Sequence, residues 1–454
     1  MLLPARRGAR LPVHAFQRPR RKLLIHVFVG PTIGEKEVRG IVGEVAVHRP
    51  IKHGDLFAPD IASGDTVLVL DGLYHQSLSL RHKEVFHALD NGVRVVGASS
   101  VGALRAADLA RFGMIGIGEI YRAYASGEIV GDDEVAVAHG SDDDLSALTV
   151  PLVNIRAVLR AAAAEHVIPA AEQAALLELF RQLYYPQRTF RTCLRWARKH
   201  GREDFADWWE AKTRDERHFG NQKRADAIAA LTWIQETRDW QESSGERVRL
   251  GDWHTGFYRD WRNHFAGFAE DSPAPLGCRI QYQQIFNPAF PDIWAGFLAR
   301  LSRSPAGQAE GQELAQRFDA LGIGESARGR APFVDQVQRT IFRPRYDLGD
   351  SRHVRWLLAG ETPQDIATLT EYLAADREFH ARNPAFSSRW LRRDVGSALL
   401  ADLWGVDADE MEGAGVARGF RSEGDAVRAL ARMVVGYLTA VRAFQERKTS
   451  AHAG

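Results

Sequence analysis

The chain has 454 residues, enough for two or three domains of ordinary size, and its 45% apolar and 26% charged content is that of a globular protein. No run approaches the ~20 consecutive apolar residues of a membrane span, and Lys plus Arg (59) so nearly cancel Asp plus Glu (58) that a dominant nucleic-acid surface is excluded. Cys193 and Cys278 are the only cysteines, too few for a zinc or disulfide framework and suited to a reducing cytoplasm.

Residues 1–22 are rich in arginine, contain no acid and lack the apolar core of a signal peptide, so they read as a disordered basic lead-in. Three near-continuous apolar runs follow, Leu23–Val29, Thr66–Leu70 and Val93–Val96, as expected of strands covered on both faces. Between the last two, Ser79–Leu89 suits a helix with Ser79 as N-cap and Asp90-Asn91-Gly92 as its stop. A small-residue turn then leads into a second helix at Val101–Leu109. This alternation predicts an α/β domain, a parallel-sheet core with flanking helices and right-handed crossovers.

From Asn154 onward the pattern is helical. Ile155–His166, Pro169–Leu183, Arg224–Asp239, Pro363–Asp376 and Ala426–Arg447 are predicted helices. All eleven tryptophans lie between Trp196 and Trp404. The sequence therefore predicts a lead-in at 1–22, an α/β core domain at 23–195 and a mainly helical, tryptophan-containing region at 196–454, in one or two domains.

In a doubly wound sheet, ligands sit outside the carboxyl ends of the strands. The first run ends at Gly30-Pro31-Thr32, the second at Asp71-Gly72, the third at Ser99-Ser100, so topology brings them to one edge. Ser100 and Gly102 form the second half of a nucleophile elbow, with Ala98 in place of its first glycine. Ser99 is the alternative nucleophile one residue back. Small residues here also serve simple close packing. The Val101 and Gly102 amides, at a helix start, are the natural oxyanion donors. Ser100 needs a proton acceptor; Lys83, Asp71, His75 and His82 all compete for that role. Against these stand structural alternatives: Lys83 pairing with Glu84, Asp71 forming a turn before Gly72, and Arg105 pairing with Asp108 rather than holding a carboxylate.

Asp132-Asp133-Glu134 reads as a solvated turn or cap rather than a metal site. The glycines of Gly113–Gly118 have the wrong spacing for a dinucleotide fingerprint, and there is no Walker motif, so no cofactor is expected. Cys193 lies in a basic stretch but reads as a buried structural cysteine.

Taken together, Leu24–Thr32, Val67–Gly72, His82-Lys83-Glu84, the Gly97-Ala98-Ser99 turn running into Gly102-Ala103-Leu104-Arg105-Ala106, Gly113-Met114, Asp132–Ala136 and Arg188-Thr189 resemble, in order, the core of the TfuA family. The resemblance spans roughly residues 24–195 and leaves the C-terminal part without a role. It implies a part in peptide backbone thioamidation: a YcaO-type partner activates the amide of a peptide substrate, and the TfuA-like protein releases sulfide by cleaving a thiocarboxylate on a small ubiquitin-like carrier. It favours Ser100, Lys83 and Asp71 as the catalytic group, and Val101, Gly102, Arg105, Gly30, Thr32 and Glu84 as the oxyanion and substrate-binding set, with no metal. A second reading is a non-catalytic accessory protein that binds and activates or positions the YcaO enzyme.

Overall fold

A computed structural model describes residues 23–73, 78–140, 146–238, 253, 255–268, 272–303, 346–387 and 391–452; the basic lead-in and His75 lie outside them. Backbone contacts divide the chain into two compact units, one of 1–56 with 61–250 and one of 57–60 with 251–454.

The first unit is built on a five-stranded, all-parallel sheet. Its strands are β1 (Ile25–Phe28), β2 (Ala46–His48), β3 (Thr66–Val69), β4 (Arg94–Ala98) and β5 (Ile115–Ile117), in the order β2-β1-β3-β4-β5. That is the doubly wound, flavodoxin-like order, whose direction reverses between β1 and β3. The three apolar runs of the sequence are the three central strands. Their side chains alternate between two cores, as a pleat of period two requires. Val67 and Val69 face one core with Val95, Val85 and Leu109, whereas Leu68 and Leu70 face the other with Val27, Val96 and Val38.

The helices α1 (Glu35–Val42), α2 (His82–Asp90), α3 (Val101–Leu109) and α4 (Glu119–Ser126) cross between or follow the strands. The helix α2 begins at His82 rather than Ser79, because Glu84 accepts the Arg81 amide (2.9 Å) and so caps the helix from within. The glycine-rich stretch after α3 holds the edge strand β5, which the sequence reading did not identify; β2, at the opposite edge, was missed as well.

Five further helices belong to this unit: α5 (Leu152–Ala164), α6 (Gln173–Arg181), α7 (Phe190–Lys199), α8 (Glu203–Asp215) and α9 (Gln222–Glu236). Composition drew a boundary near residue 195, whereas backbone contacts group α7, α8 and α9 with the sheet. Helices α5–α8 form their own core around Phe180, Phe205 and Trp209. Helix α9 instead returns to the sheet, where Ala227, Ala230, Leu231 and Ile234 pack among the side chains of β1, β3 and β4. Its Asp226 accepts the Glu119 amide (3.0 Å) and the Ile120 amide (2.8 Å), tying α9 to the start of α4.

The second unit is mainly helical, with no strand among its described residues. Its helices are α10 (Gly256–Ala266), α11 (Leu276–Phe286), α12 (Phe290–Arg303), α13 (Ser351–Leu357), α14 (Pro363–Arg382), α15 (Arg393–Trp404), α16 (Met411–Ala417), α17 (Glu423–Ala431) and α18 (Val434–His452). The single helix expected at Ala426–Arg447 is thus two. The buried Arg418 closes the C-terminus of α11, donating to the carbonyls of Gln284 (3.1 Å) and Asn287 (2.9 Å).

Candidate active site

The carboxyl edge between β1 and β3 carries a buried carboxylate. Asp71 follows β3 and accepts hydrogen bonds from the Gly30 amide (2.9 Å), the Thr32 amide (3.1 Å) and the Thr32 hydroxyl (2.7 Å). Those donors all come from the loop after β1, so the bonds span the point where the sheet reverses direction. Gly72 is pinned behind Asp71: a Cβ there would stand 2.6 Å from Val101 Cγ1 and 3.1 Å from the Ile51 carbonyl. The Ser99 hydroxyl, after β4, donates to Thr32 Oγ1 across 3.5 Å and so joins the third strand end to the cluster.

The turn after β4 is strained and close-packed. Ser99 holds φ of +69°, a left-handed conformation uncommon for a residue with a side chain. A Cβ on Gly102 would fall 1.8 Å from the Val69 carbonyl oxygen, so only glycine lets α3 approach β3 this closely. The kink buries Ser99 completely and passes Ser100 to a cavity of about 220 Å³. The Ser100 side chain makes no capping bond to α3, although it occupies the N-cap. Strand, strained turn and helix start are the arrangement that presents a serine to helix N-terminal amides.

Asp71, Ser100, His139, Tyr185 and Lys223 share that cavity. Lys223, near the start of α9, was missed from the sequence. Its Nζ donates to the Val135 carbonyl (3.2 Å) and stands 3.6 Å from Asp71 Oδ1. Burial lowers its pKa, against the opposing pull of Asp71. The His139 ring lies 3.0 Å, through Nδ1, from the Gly140 carbonyl. An adjoining cavity of about 270 Å³ is lined by the apolar Phe190, Trp209 and Phe219 and shares Pro31, Val137 and Lys223 with the first.

The other sequence candidates lie apart from this lining. Lys83 is half-buried on α2, and His82 faces Asp108 at 3.1 Å. The Glu84 carboxylate is wholly buried, accepting the Gly54 amide (2.6 Å) and facing His53 Nδ1 (2.6 Å). Arg105 donates to the Leu80 carbonyl (3.2 Å) and to Asp108 (3.1 Å), the helix pairing that the sequence had offered as its alternative role.

The turn before Glu134 is exposed at Asp132, while Glu134 itself is buried and met by Arg156 (2.8 and 2.9 Å) and Arg181 (2.7 Å). Sequence reasoning saw three adjacent acids but not the arginines that α5 and α6 bring to the third. Cys193 is buried as expected, and burial pushes its thiol up to about 12, far from a reactive thiolate.

The fold and the edge cluster define a class: a doubly wound α/β domain with a serine-bearing pocket at its switch point. Residues 71–189 match the family model described as TfuA-like protein, so the chain carries a TfuA-like region, from the buried aspartate to the start of α7. No curated protein matches the chain. Among the described residues, no helix is long and apolar enough to cross a membrane.

Proposed function

We propose that this protein serves YcaO-dependent peptide backbone thioamidation by releasing sulfide from the C-terminal thiocarboxylate of a small ubiquitin-like carrier, with Ser100 as nucleophile. The TfuA-like region supports the thioamidation setting and the YcaO partner. The observation that carries the hydrolytic reading is the strained Ser99–Ser100 turn, which opens Ser100 to a cavity shared with Asp71 and Lys223. In this reading the carrier's tail lies along the adjoining apolar cavity and places its thioacyl carbon beside Ser100. Oγ attacks that carbon, the Val101 and Gly102 amides face the developing oxyanion, and sulfide leaves. Water then hydrolyses the ester and returns the carrier as a carboxylate.

The test is to incubate the purified full-length protein with a thiocarboxylated carrier, measuring free sulfide and the mass of the carrier. Catalytic sulfide release with conversion to the carboxylate is expected. No release above the carrier's own hydrolysis, together with stimulation of a YcaO enzyme by the protein, would favour the accessory reading instead.

A further inference from the structure

Lys223 lies outside the segment 71–189, yet it lines both cavities and stands at their junction. Its side chain is almost wholly buried, which is costly for an amine unless a partner or a task compensates. Its placement is fixed from several sides. The Lys223 amide donates to Asn154 Oδ1 (3.2 Å), its Nζ is held by Val135, and Asp226 one turn on anchors the helix to α4. Asp71, for its part, already accepts three hydrogen bonds from Gly30 and Thr32. The carboxylate is thereby stabilised without the lysine, and the lysine is not reduced to a counter-ion.

Resting on the hydrolytic reading above, we infer that Lys223 is the catalytic residue that handles protons for Ser100, while Asp71 is a positioning residue that orients its amine. Neutral Nζ takes the Ser100 Oγ proton as the Oγ–C bond forms. When the tetrahedral adduct collapses, the C–S bond breaks and the departing sulfur takes that proton as hydrosulfide. Nζ next accepts a proton from the water that attacks the ester. The C–Oγ bond breaks and Nζ returns the proton to Ser100. The net change is thiocarboxylate plus water to carboxylate, hydrosulfide and one proton, the last lost from the newly formed carboxyl group, with no oxidant or reductant. The lowered pKa of Lys223 supports this role, since a base must be neutral at working pH. The titratable groups lining the two cavities around it are Asp71, His139, Tyr185 and Arg217.

The experiment follows sulfide release by the full-length protein against pH for the native chain and for Lys223→Met, Lys223→Ala, Lys83→Ala, His139→Gln and Ser100→Ala. The native kcat/KM is expected to rise with pH along a limb set below the ordinary lysine value of 10.5. Lys223→Met, folded by circular dichroism, should lose ~10²–10⁴-fold in kcat. Lys83→Ala should lose far less than Lys223→Met, and the native pH limb should persist in His139→Gln. Added methylamine should restore part of the activity of Lys223→Ala, with a limb that follows the added amine; a merely structural role predicts no such rescue. A folded Lys223→Met with near-native release overturns the inference. So does a native limb near the imidazole range of about 6.5 that vanishes in His139→Gln, a result that stands even if the Lys223 variants fail to fold. A native protein that releases no sulfide, or a Ser100→Ala variant that releases it normally, overturns the hydrolytic reading instead.

Discussion

Buried carboxylates in this fold divide by what surrounds them. Asp71 faces a cavity, whereas Glu84 accepts from the Gly54 and Arg81 amides and meets His53, contacts that cap α2 and fix the loop carrying Gly54. Glu84→Gln keeps the shape but exchanges an anionic acceptor for a neutral amide. Thermal unfolding should show a loss of about 1–3 kcal/mol, while sulfide release per folded molecule should not change; a stable variant with lost turnover would return Glu84 to the site. At this scale the convergence of Gly30, Thr32, Asp71 and the Ser99–Ser100 turn on one edge was legible because each ends or follows a strand, and strand ends of a parallel sheet converge by topology. Lys223 was not legible. It sits on a helix whose apolar residues face the sheet while its polar Lys223 and Asp226 are also buried, against the Asp71 edge and the start of α4. A helix buried on more than one side hides its buried polar residues among positions that read as solvated.

Between elements, the controlling contact is the approach of α3 to β3 at Gly102. Gly102→Ala would place a methyl group 1.8 Å from the Val69 carbonyl oxygen, and α3 cannot keep its position. The expected cost is about 2 kcal/mol or more, read by urea denaturation, together with loss of sulfide release because Ser100 moves with the turn. Retained stability and activity would contradict the close approach. A second junction is ionic: Glu134 joins its turn to α5 and α6 through Arg156 and Arg181. Burial alone would raise its pKa, but those two arginines outweigh it and hold the carboxyl below 4.5. A depressed folded value means the stabilisation is present above pH 4.5 and is lost as pH falls through the folded pKa. Glu134→Gln should therefore lower stability near neutral pH by about 1–3 kcal/mol, a range held down by the exposure of Arg181. It should also flatten the acid limb of a stability–pH curve; an unchanged acid limb would show that the arginines do not hold the proton off Glu134. The central strands were readable as apolar runs. The edge strands β2 and β5 have three residues each, only half buried, too short and too mixed to leave a period.

At the scale of the whole molecule, the TfuA-like region ends where α7 begins, yet the first unit needs α9 to complete its sheet core and its pocket. The family segment alone would therefore lack the strands β1, β2 and β3 as well as Lys223 and the layer that α9 lays on the sheet. The helical second unit has no counterpart in that segment. The fold class was legible because the change from apolar strand runs to helical periodicity is a property of long stretches, which single residues do not disturb. The reach of the first unit past residue 195 was not, because a helix returning to an earlier sheet looks in sequence like any other helix. Whether Ser100 is a nucleophile is tested most directly by sulfide release from a thiocarboxylated carrier by folded Ser100→Ala beside Ser99→Ala. We expect Ser100→Ala to fall by ~10³-fold or more with its fold intact, and Ser99→Ala to fall mildly. A folded Ser100→Ala protein that releases sulfide at a near-native rate would contradict the account and leave Ser100 as a packing residue.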